Sequence, residues 1–225
     1  MARLKPVARV ALKRKEFKKP IADYLSGKIG WDHMSLKSVK KLMRILLREE
    51  QREVCPYCQR LIIPERRNLT EHIEHFLDKS KGKYRKFAFS ATNLVLACQG
   101  CNVEKGTRDL IAPGKPVPAH LSSAAAPFLW PHPYFDDMGA CIQKYAGPVY
   151  SAIVGSGREA EAKKLIKDLK LDDLRNIESR YGRLRERHDR LLQILGRLAA
   201  KNDERSRARM TPLILEMKRV HKDMN

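Results

Sequence analysis

Two Cys-x-x-Cys pairs, Cys55-Pro56-Tyr57-Cys58 and Cys98-Gln99-Gly100-Cys101, constrain this chain more than any other feature. Two residues between paired cysteines let one tight turn aim both sulfurs at a single ion, and four thiolates complete the tetrahedron that Zn²⁺ prefers. The segment between the pairs is then a loop whose ends meet at the metal. A closed shell of four thiolates, from Cys55, Cys58, Cys98 and Cys101, leaves no open position, so a zinc ion there staples the fold and does no chemistry. A redox dithiol is the alternative reading, but neither pair sits between a strand and a helix in a βαβ context. Cys141 is left over.

The cysteines also bear on compartment. A secreted disulfide framework would carry a leader, and the first residues hold Arg3, Lys5 and Arg9 with no apolar stretch long enough for one. No run of about 18 apolar residues occurs, so no membrane span is expected. The expected location is the cytoplasm, where paired cysteines bind metal more often than they form disulfides. The chain has 46 Lys and Arg against 26 Asp and Glu, a formal charge of +20. That excess attracts polyanions, above all nucleic-acid phosphates, but does not by itself separate a nuclease from a structural binder.

Periodicity divides the 225 residues into four stretches. Residues 1–34 are basic, with Lys13-Arg14-Lys15 and Lys18-Lys19, and read as a solvated or phosphate-contacting N-terminal arm. Residues 35–111 begin with Ser35 as a helix cap. Leu36, Val39, Leu42, Met43, Leu46 and Leu47 then lie on one helical face, and the helix delivers the chain to Cys55. Beyond the first knuckle, Leu61-Ile62-Ile63, Thr70 to Phe76 and Asn93 to Ala97 read as strands. The loop between the last two carries Lys79, Lys81, Lys83, Arg85 and Lys86, with Tyr84, Phe87 and Phe89 interleaved. Residues 112–156 are a proline-rich wrapping segment with Phe128-Leu129-Trp130 and Tyr134-Phe135, and Asp136-Asp137 as a turn or cap. Residues 157–225 turn helical. Ile177, Tyr181, Leu184, His188, Leu191, Leu195 and Leu198 make a four-three seam, interrupted at Asn202 and Asp203. Pro212 suits a helix's first turn, and Leu213, Met217, Val220 and Met224 resume the spacing, which predicts a helical hairpin.

Between the knuckles stands His72-Ile73-Glu74-His75, with Asn93 later and Asn102 directly after the last cysteine. A carboxylate and an amide oxygen, Glu74 and Asn102, are hard ligands that suit Mg²⁺ or Mn²⁺. A neutral imidazole such as His75 can take a proton from water. One base and one hard cation are the minimum for water attack on a phosphodiester.

In this order the residues resemble the HNH endonucleases, whose core reads Asp-His-Ile-x-Pro-x-Ser, then Asn-Leu, then Cys-x-x-Cys-Asn-x-x-Lys. The resemblance implies a ββα-metal fold, with Glu74 as ligand of the catalytic divalent ion, His75 as general base, Asn93 holding the base loop and Asn102 as second ligand. Lys105-Gly106 match the motif's tail. Glu74 stands for the usual Asp, and Asp78 for the usual proline. Glu71-His72-Ile73 offers a second register, but Ser80 falls in place only with Glu74-His75, which leaves His72 as a neighbouring support or phosphate contact. Residues 40–185 further resemble, more loosely, the PtuB-like nucleases of retron and Septu antiphage systems, on His72 to Ser80, Phe135 to Gly139 and Leu165 to Arg180. That implies an ABC/SMC-like (PtuA-like) ATPase partner. The expectation is an α+β, mostly helical chain: a small ββα-metal nuclease core stapled by a four-cysteine zinc site, flanking helices and a C-terminal hairpin. Its partner is nucleic acid, with DNA ahead of RNA, and there is no membrane. The alternative is a zinc-stabilised nucleic-acid-binding or scaffold protein without turnover.

Overall fold

The computed structural model describes residues 2–62, 70–121, 128–145, 149–201 and 203–224. The chain is α+β and mostly helical. The expected strand Leu61-Ile62-Ile63 is a single bridge, Val54 to Leu61, and Ile63 lies outside the described residues. So do Pro127 and Asn202.

The basic N-terminal stretch is not a solvated arm. It folds into α1 (Arg9–Leu12) and α2 (Lys15–Leu25), and Leu4, Ala8, Ala11, Phe17 and Tyr24 are buried in the main core. Its backbone is also tied down: Leu4 N donates to the Pro133 carbonyl at 2.9 Å and Lys5 N to Glu50 Oε1 at 2.7 Å. The lysines that dominate its composition sit outside an apolar stripe, and the stripe decides where the segment goes.

Next comes α3 (Lys37–Glu50), which turns Val39, Met43 and Leu47 into the core as its periodicity demands. Ser35 is not its cap. A short 3-10 turn, Met34–Leu36, precedes it, capped by His33, whose ring accepts from Ser35 N. At the far end Arg52 and Glu53 take left-handed φ values of 51° and 61°, turning the chain sharply toward Cys55. The buried Gln51 spans the gap to the hairpin: its Nε2 donates to the Val54 and Leu96 carbonyls, and its Oε1 accepts from Leu96 N at 2.8 Å.

The strands β1 (Glu71–His75) and β2 (Leu94–Cys98) pair antiparallel, with His75 opposite Leu94 and Glu71 opposite Cys98. Helix α4 (Gln99–Lys105) follows β2 at once and stops at Gly106, whose φ of +51° closes it with a bond from Gly106 N to the Asn102 carbonyl. The long loop joining β1 to β2 is anchored by buried Phe76, Leu77, Tyr84, Phe87 and Ala88.

The proline-rich stretch does wrap the core, burying Phe128, Trp130 and Tyr134. It also holds elements that periodicity does not reveal: α5 (Met138–Cys141), capped by Asp137, and a small antiparallel hairpin, β3 (Ile142–Tyr145) with β4 (Val149–Ala152). Helix α6 (Glu159–Asp168) packs Ala162, Leu165 and Ile166 into the same core.

Helices α7 (Leu174–Lys201) and α8 (Glu204–Met224) form the expected hairpin, sealed by Leu191, Leu195, Leu198 and Val220 and crossed by an Arg187–Glu216 ion pair. Asp203 caps α8, accepting from Ser206 N at 2.7 Å. Pro212 therefore lies inside α8, not in its first turn. The hairpin is fastened to the body at its base: Asp223 accepts from Leu61 N and pairs with Lys144, and Arg219 pairs with Glu53. No helix of the described residues is long and apolar enough to cross a membrane.

One core group titrates in an informative way. His132 is fully buried, its ring stacked on Phe135 at 4.1 Å and against Phe76 at 4.2 Å, with Nε2 unpartnered. Burial lowers its pKa to about 3. The unfolded chain binds this proton below about pH 6.5 and the folded chain does not, so stability is full above that pH and falls as pH drops toward 3. The expected slope is about 1.4 kcal/mol per pH unit for each such histidine. Urea unfolding across this range should give a slope smaller by about one proton in His132→Asn than in the parent; equal slopes would remove His132 from the account.

Candidate metal centre and active site

The first knuckle is built by backbone. Cys55 N donates to the Arg60 carbonyl at 2.8 Å and Gln59 N to the Cys55 carbonyl at 2.9 Å, with Gln59 in the left-handed region at φ 53°. The second knuckle is the junction of two elements. Cys98 ends β2 and caps α4, and Cys101 lies in the first turn of that helix. All four sulfurs lie within 4.8 Å of one another, and Cys58 and Cys98 Sγ are 3.7 Å apart. A tetrahedral Zn–S shell with bonds of about 2.3 Å needs sulfur–sulfur separations of about 3.8 Å. The set fits one ion such as zinc. No pair is bonded as a disulfide.

Charge points the same way. Hydrogen bonds from Cys101, Cys55 and Cys98 hold the Cys58 thiol well below its ordinary range, and Arg60 adds to them. Arg60 reaches both Cys58 Sγ, at 3.3 Å, and Cys98 Sγ, at 3.8 Å. Burial pushes Cys55 well up, and hydrogen bonds with the other three sulfurs push Cys101 well up. Four buried sulfurs this close become thiolates together only when a cation neutralises them. Tyr150 OH donates to the Cys58 carbonyl, and Gln59 Nε2 to the Met138 and Ile142 carbonyls, which ties the knuckle to the second hairpin.

Alternation along β1 sends Glu74 and His75 to opposite sides. Glu74 is 4% exposed. Its Oε1 pairs with Lys105 Nζ at 2.6 Å and its Oε2 accepts from Tyr57 OH. Lys105, 1% exposed, also donates to the His75 carbonyl at 2.9 Å. An ammonium thus bridges the carboxylate to the backbone of the next residue. Asn102 is half-buried on α4, three residues before Lys105 and so on the same side of the helix. Its amide has no protein partner among the described residues. Oxygen donors for a hard cation are present at Glu74 and Asn102: a carboxylate has about four lone-pair positions and Glu74 spends two. The cation in contact with this carboxylate is the Lys105 ammonium, and the metal-type cluster found among the described residues is that of the four cysteines.

His75 faces the other way, 4% exposed, its ring edge-on to Trp31 at 4.7 Å. Nε2 lies 3.1 Å from the Ala88 carbonyl, which can only accept, so Nε2 carries the proton. Nδ1 has no protein hydrogen-bond partner among the described residues. Burial, and the Lys79 ammonium after it, hold the pKa well below its ordinary value against the Ala88 bond. The ring is neutral at neutral pH, with the Nδ1 lone pair unspent.

Asn93, fully buried, holds the loop that follows. Its Oδ1 accepts from Leu77 N at 2.7 Å, and its Nδ2 donates to the Leu77 and Phe87 carbonyls at 3.0 and 3.1 Å. That clamp sets the chain just after His75 against the stretch carrying Ala88. His72 is half-buried opposite Ala97, with Nε2 unpartnered, and Glu71 is taken by a bidentate ion pair with Arg48. The sequence reading missed three contributors: Tyr57 and Lys105 as partners of Glu74, and Trp31 beside His75. Tyr57 lies inside the first knuckle and Lys105 in the motif's tail. Trp31 follows Gly30 in the stretch read as an arm, and nothing local marks it.

A groove of about 1420 Å³ lies between the first residues, the end of α3, β3 and the end of α8, and Glu74, His75, Asn93, Asn102 and the four cysteines do not line it. Comparison of the chain with protein-family models, with curated proteins and with solved structures finds no match.

Metal content tests the staple. Cys98→Ser is expected to drop bound zinc from one ion per chain toward none, lower the melting temperature and reduce soluble yield together. Metal analysis and thermal unfolding of the purified variant read this out; a zinc-free variant as stable as the parent would overturn it.

Proposed function

We propose that the chain is a metal-dependent HNH-type endonuclease that hydrolyses phosphodiester bonds in nucleic acid. The observation that carries the reading is the state of His75: Nε2–H held by the Ala88 carbonyl, Nδ1 without a protein partner among the described residues, and a pKa pushed below its ordinary value. A fixed tautomer with an unspent lone pair and a neutral resting state suits a general base. The antiparallel hairpin followed directly by α4, closed by the four cysteines, has the strand–strand–helix order that this reading requires.

In this reading Nδ1 of His75 takes the proton from the attacking water, and Asn93 fixes the loop so that the ring keeps its orientation. Glu74 and Asn102 are the oxygen donors this reading assigns to a divalent ion, which would stabilise negative charge on the phosphoryl and leaving oxygens; Glu74 lies on the opposite side of β1 from the His75 ring and is held by Lys105, so the base and not the ion carries the reading. Lys105 holds Glu74 and the His75 carbonyl in a fixed relation, coupling the two sides of the strand. The net charge of +20 supports nucleic acid as substrate, and DNA ahead of RNA is retained from the resemblance, as is an effector role in antiphage defence. The PtuA-like ATPase partner rests on the resemblance alone.

One observation favours a second reading, a zinc-stabilised nucleic-acid-binding module without turnover. Both oxygens of Glu74 are already engaged in a buried network, which is what a purely structural carboxylate does. The assay that separates the two incubates purified protein with plasmid and with total RNA in Mg²⁺ or Mn²⁺, with and without the ATPase. Binding with no cleavage in any arm would establish the second reading.

Two outcomes are expected of the nuclease. His75→Ala should lower the cleavage rate about 10²–10⁴-fold with zinc content unchanged; parental rates in that variant would refute the base. The pH–rate profile should hold its plateau down through pH 6.5 and bend only at more acid values, because protonation of His75 in the fold comes below the ordinary histidine range. An acid limb centred at or above 6.5 would assign the titration to another group.

A further inference from the structure

We propose that Lys79, seated on Trp31, is a phosphate-positioning residue that takes one backbone phosphate of the nucleic acid beside His75. This rests on the endonuclease reading for its chemistry but on separate side chains for its geometry.

Two ammonium groups lie over the Trp31 ring, Lys40 Nζ at 5.3 Å and Lys79 Nζ at 5.1 Å from its centroid. They are not equivalent. Lys40 is spent within the protein: it donates to the Trp31 carbonyl at 3.0 Å and pairs with Asp32 at 3.5 Å. Those bonds hold the Trp31 loop in place. Lys79 is half-buried and has no hydrogen bond or ion pair among the described residues; the indole face is its one contact of that kind. Burial lowers its pKa against the pull of the Asp78, Glu74 and Asp32 carboxylates, none of which is within ion-pair distance of it. Three N–H donors are available, and an indole face holds a cation without consuming them in directed bonds.

The same ring meets His75 edge-on at 4.7 Å, and Tyr24 and Phe89 at 5.7 and 5.4 Å, so Trp31 cannot shift freely. One rigid indole therefore sets both the Lys79 charge and the His75 imidazole. An anion that satisfies Lys79 therefore lies beside the indole against which His75 packs. A phosphodiester has the charge and the oxygens to do so, and on a chain of this net charge it is the polyanion to expect.

The other basic residues of the loop make a contrast. Lys83 pairs with Asp109, and Arg85 donates to the Tyr24 carbonyl at 2.6 Å and lies over the Tyr24 ring. Those two charges support the fold. Lys81 and Lys86 also have no side-chain hydrogen bond or ion pair among the described residues, Lys86 lying over the Phe87 ring at 4.9 Å, but Lys79 is the cation of this loop seated on the ring that meets His75.

The test measures duplex-oligonucleotide affinity across a salt series, by fluorescence anisotropy, with no Mg²⁺ or Mn²⁺ added so that cleavage does not intervene. Loss of one phosphate contact reduces the slope of log K against log salt by about 0.9. Lys79→Ala is expected to show that reduction and about tenfold weaker binding at low salt, and Lys79→Arg to restore both in large part. Lys83→Ala, which removes a charge already paired, is expected to keep the parental slope. Circular dichroism and zinc content confirm that each variant is folded, and Lys79→Gln replaces Lys79→Ala if the latter is not. A parental slope and affinity in folded Lys79→Ala would overturn the proposal, as would absence of nucleic-acid binding by the parent at low salt. Cleavage with Mg²⁺ or Mn²⁺ is measured in parallel. Cleaving parent with an unchanged Lys79→Ala slope sinks this inference and leaves the endonuclease reading standing. Binding without cleavage, with a reduced slope, does the reverse.

Discussion

Convergence of four sulfurs on one point is the constraint on which the rest depends. It joins a backbone-built turn at Cys55–Cys58 to the place where β2 becomes α4. The two strands of that hairpin are five residues each, too short to be stable alone in water. A metal bound by the four cysteines would close the loop that contains them and so restrain the local geometry of Glu74, His75 and Asn93. The sulfur cluster is itself supported from outside by Arg60, Tyr150 and Gln59, which connect it to β3 and β4.

Around this staple, buried polar groups act as positional pins. Gln51, Asn93 and Lys105 are each almost fully buried, and each satisfies its hydrogen-bonding groups on the backbone of a different segment. An unpaired polar group in such surroundings costs about 1–3 kcal/mol, so each pin admits few alternative arrangements. Gln51 registers α3 against β2, Asn93 registers the base loop against β2, and Lys105 registers α4 against β1. The candidate base is held by this network and not by its own contacts alone.

The candidate site has two sides because a β-strand alternates. Glu74 belongs to the side of α4 and the knuckles, and His75 to the side of Trp31 and the loop. The N-terminal helices supply the second side, since Tyr24 and Trp31 complete the aromatic setting of His75 and Phe89. The stretch that composition marks as a phosphate-seeking arm is therefore a structural wall of the site, and the charge beside the base comes instead from Lys79.

Cysteine spacing, the helical stripe of residues 36–47, the four-three seam of the C-terminal hairpin and the capping chemistry of Asp137 were legible from the sequence, because each is a local rule with a fixed period or offset. So was the expectation that Asn93 braces the loop after His75, which came from the spacing of a resemblance. Other features belong to the tertiary structure. Pro212 inside α8, the folding of residues 1–34 onto the core, the β3–β4 hairpin, the Lys105–Glu74 pair and the meeting of Trp31 with His75 all depend on segments distant in the chain. Composition assigns charge to a segment, but burial and pairing decide which charges remain available. That division is set only when the core has closed around them, because the free energy of an ionic group depends on its neighbours in space and not on its neighbours in sequence.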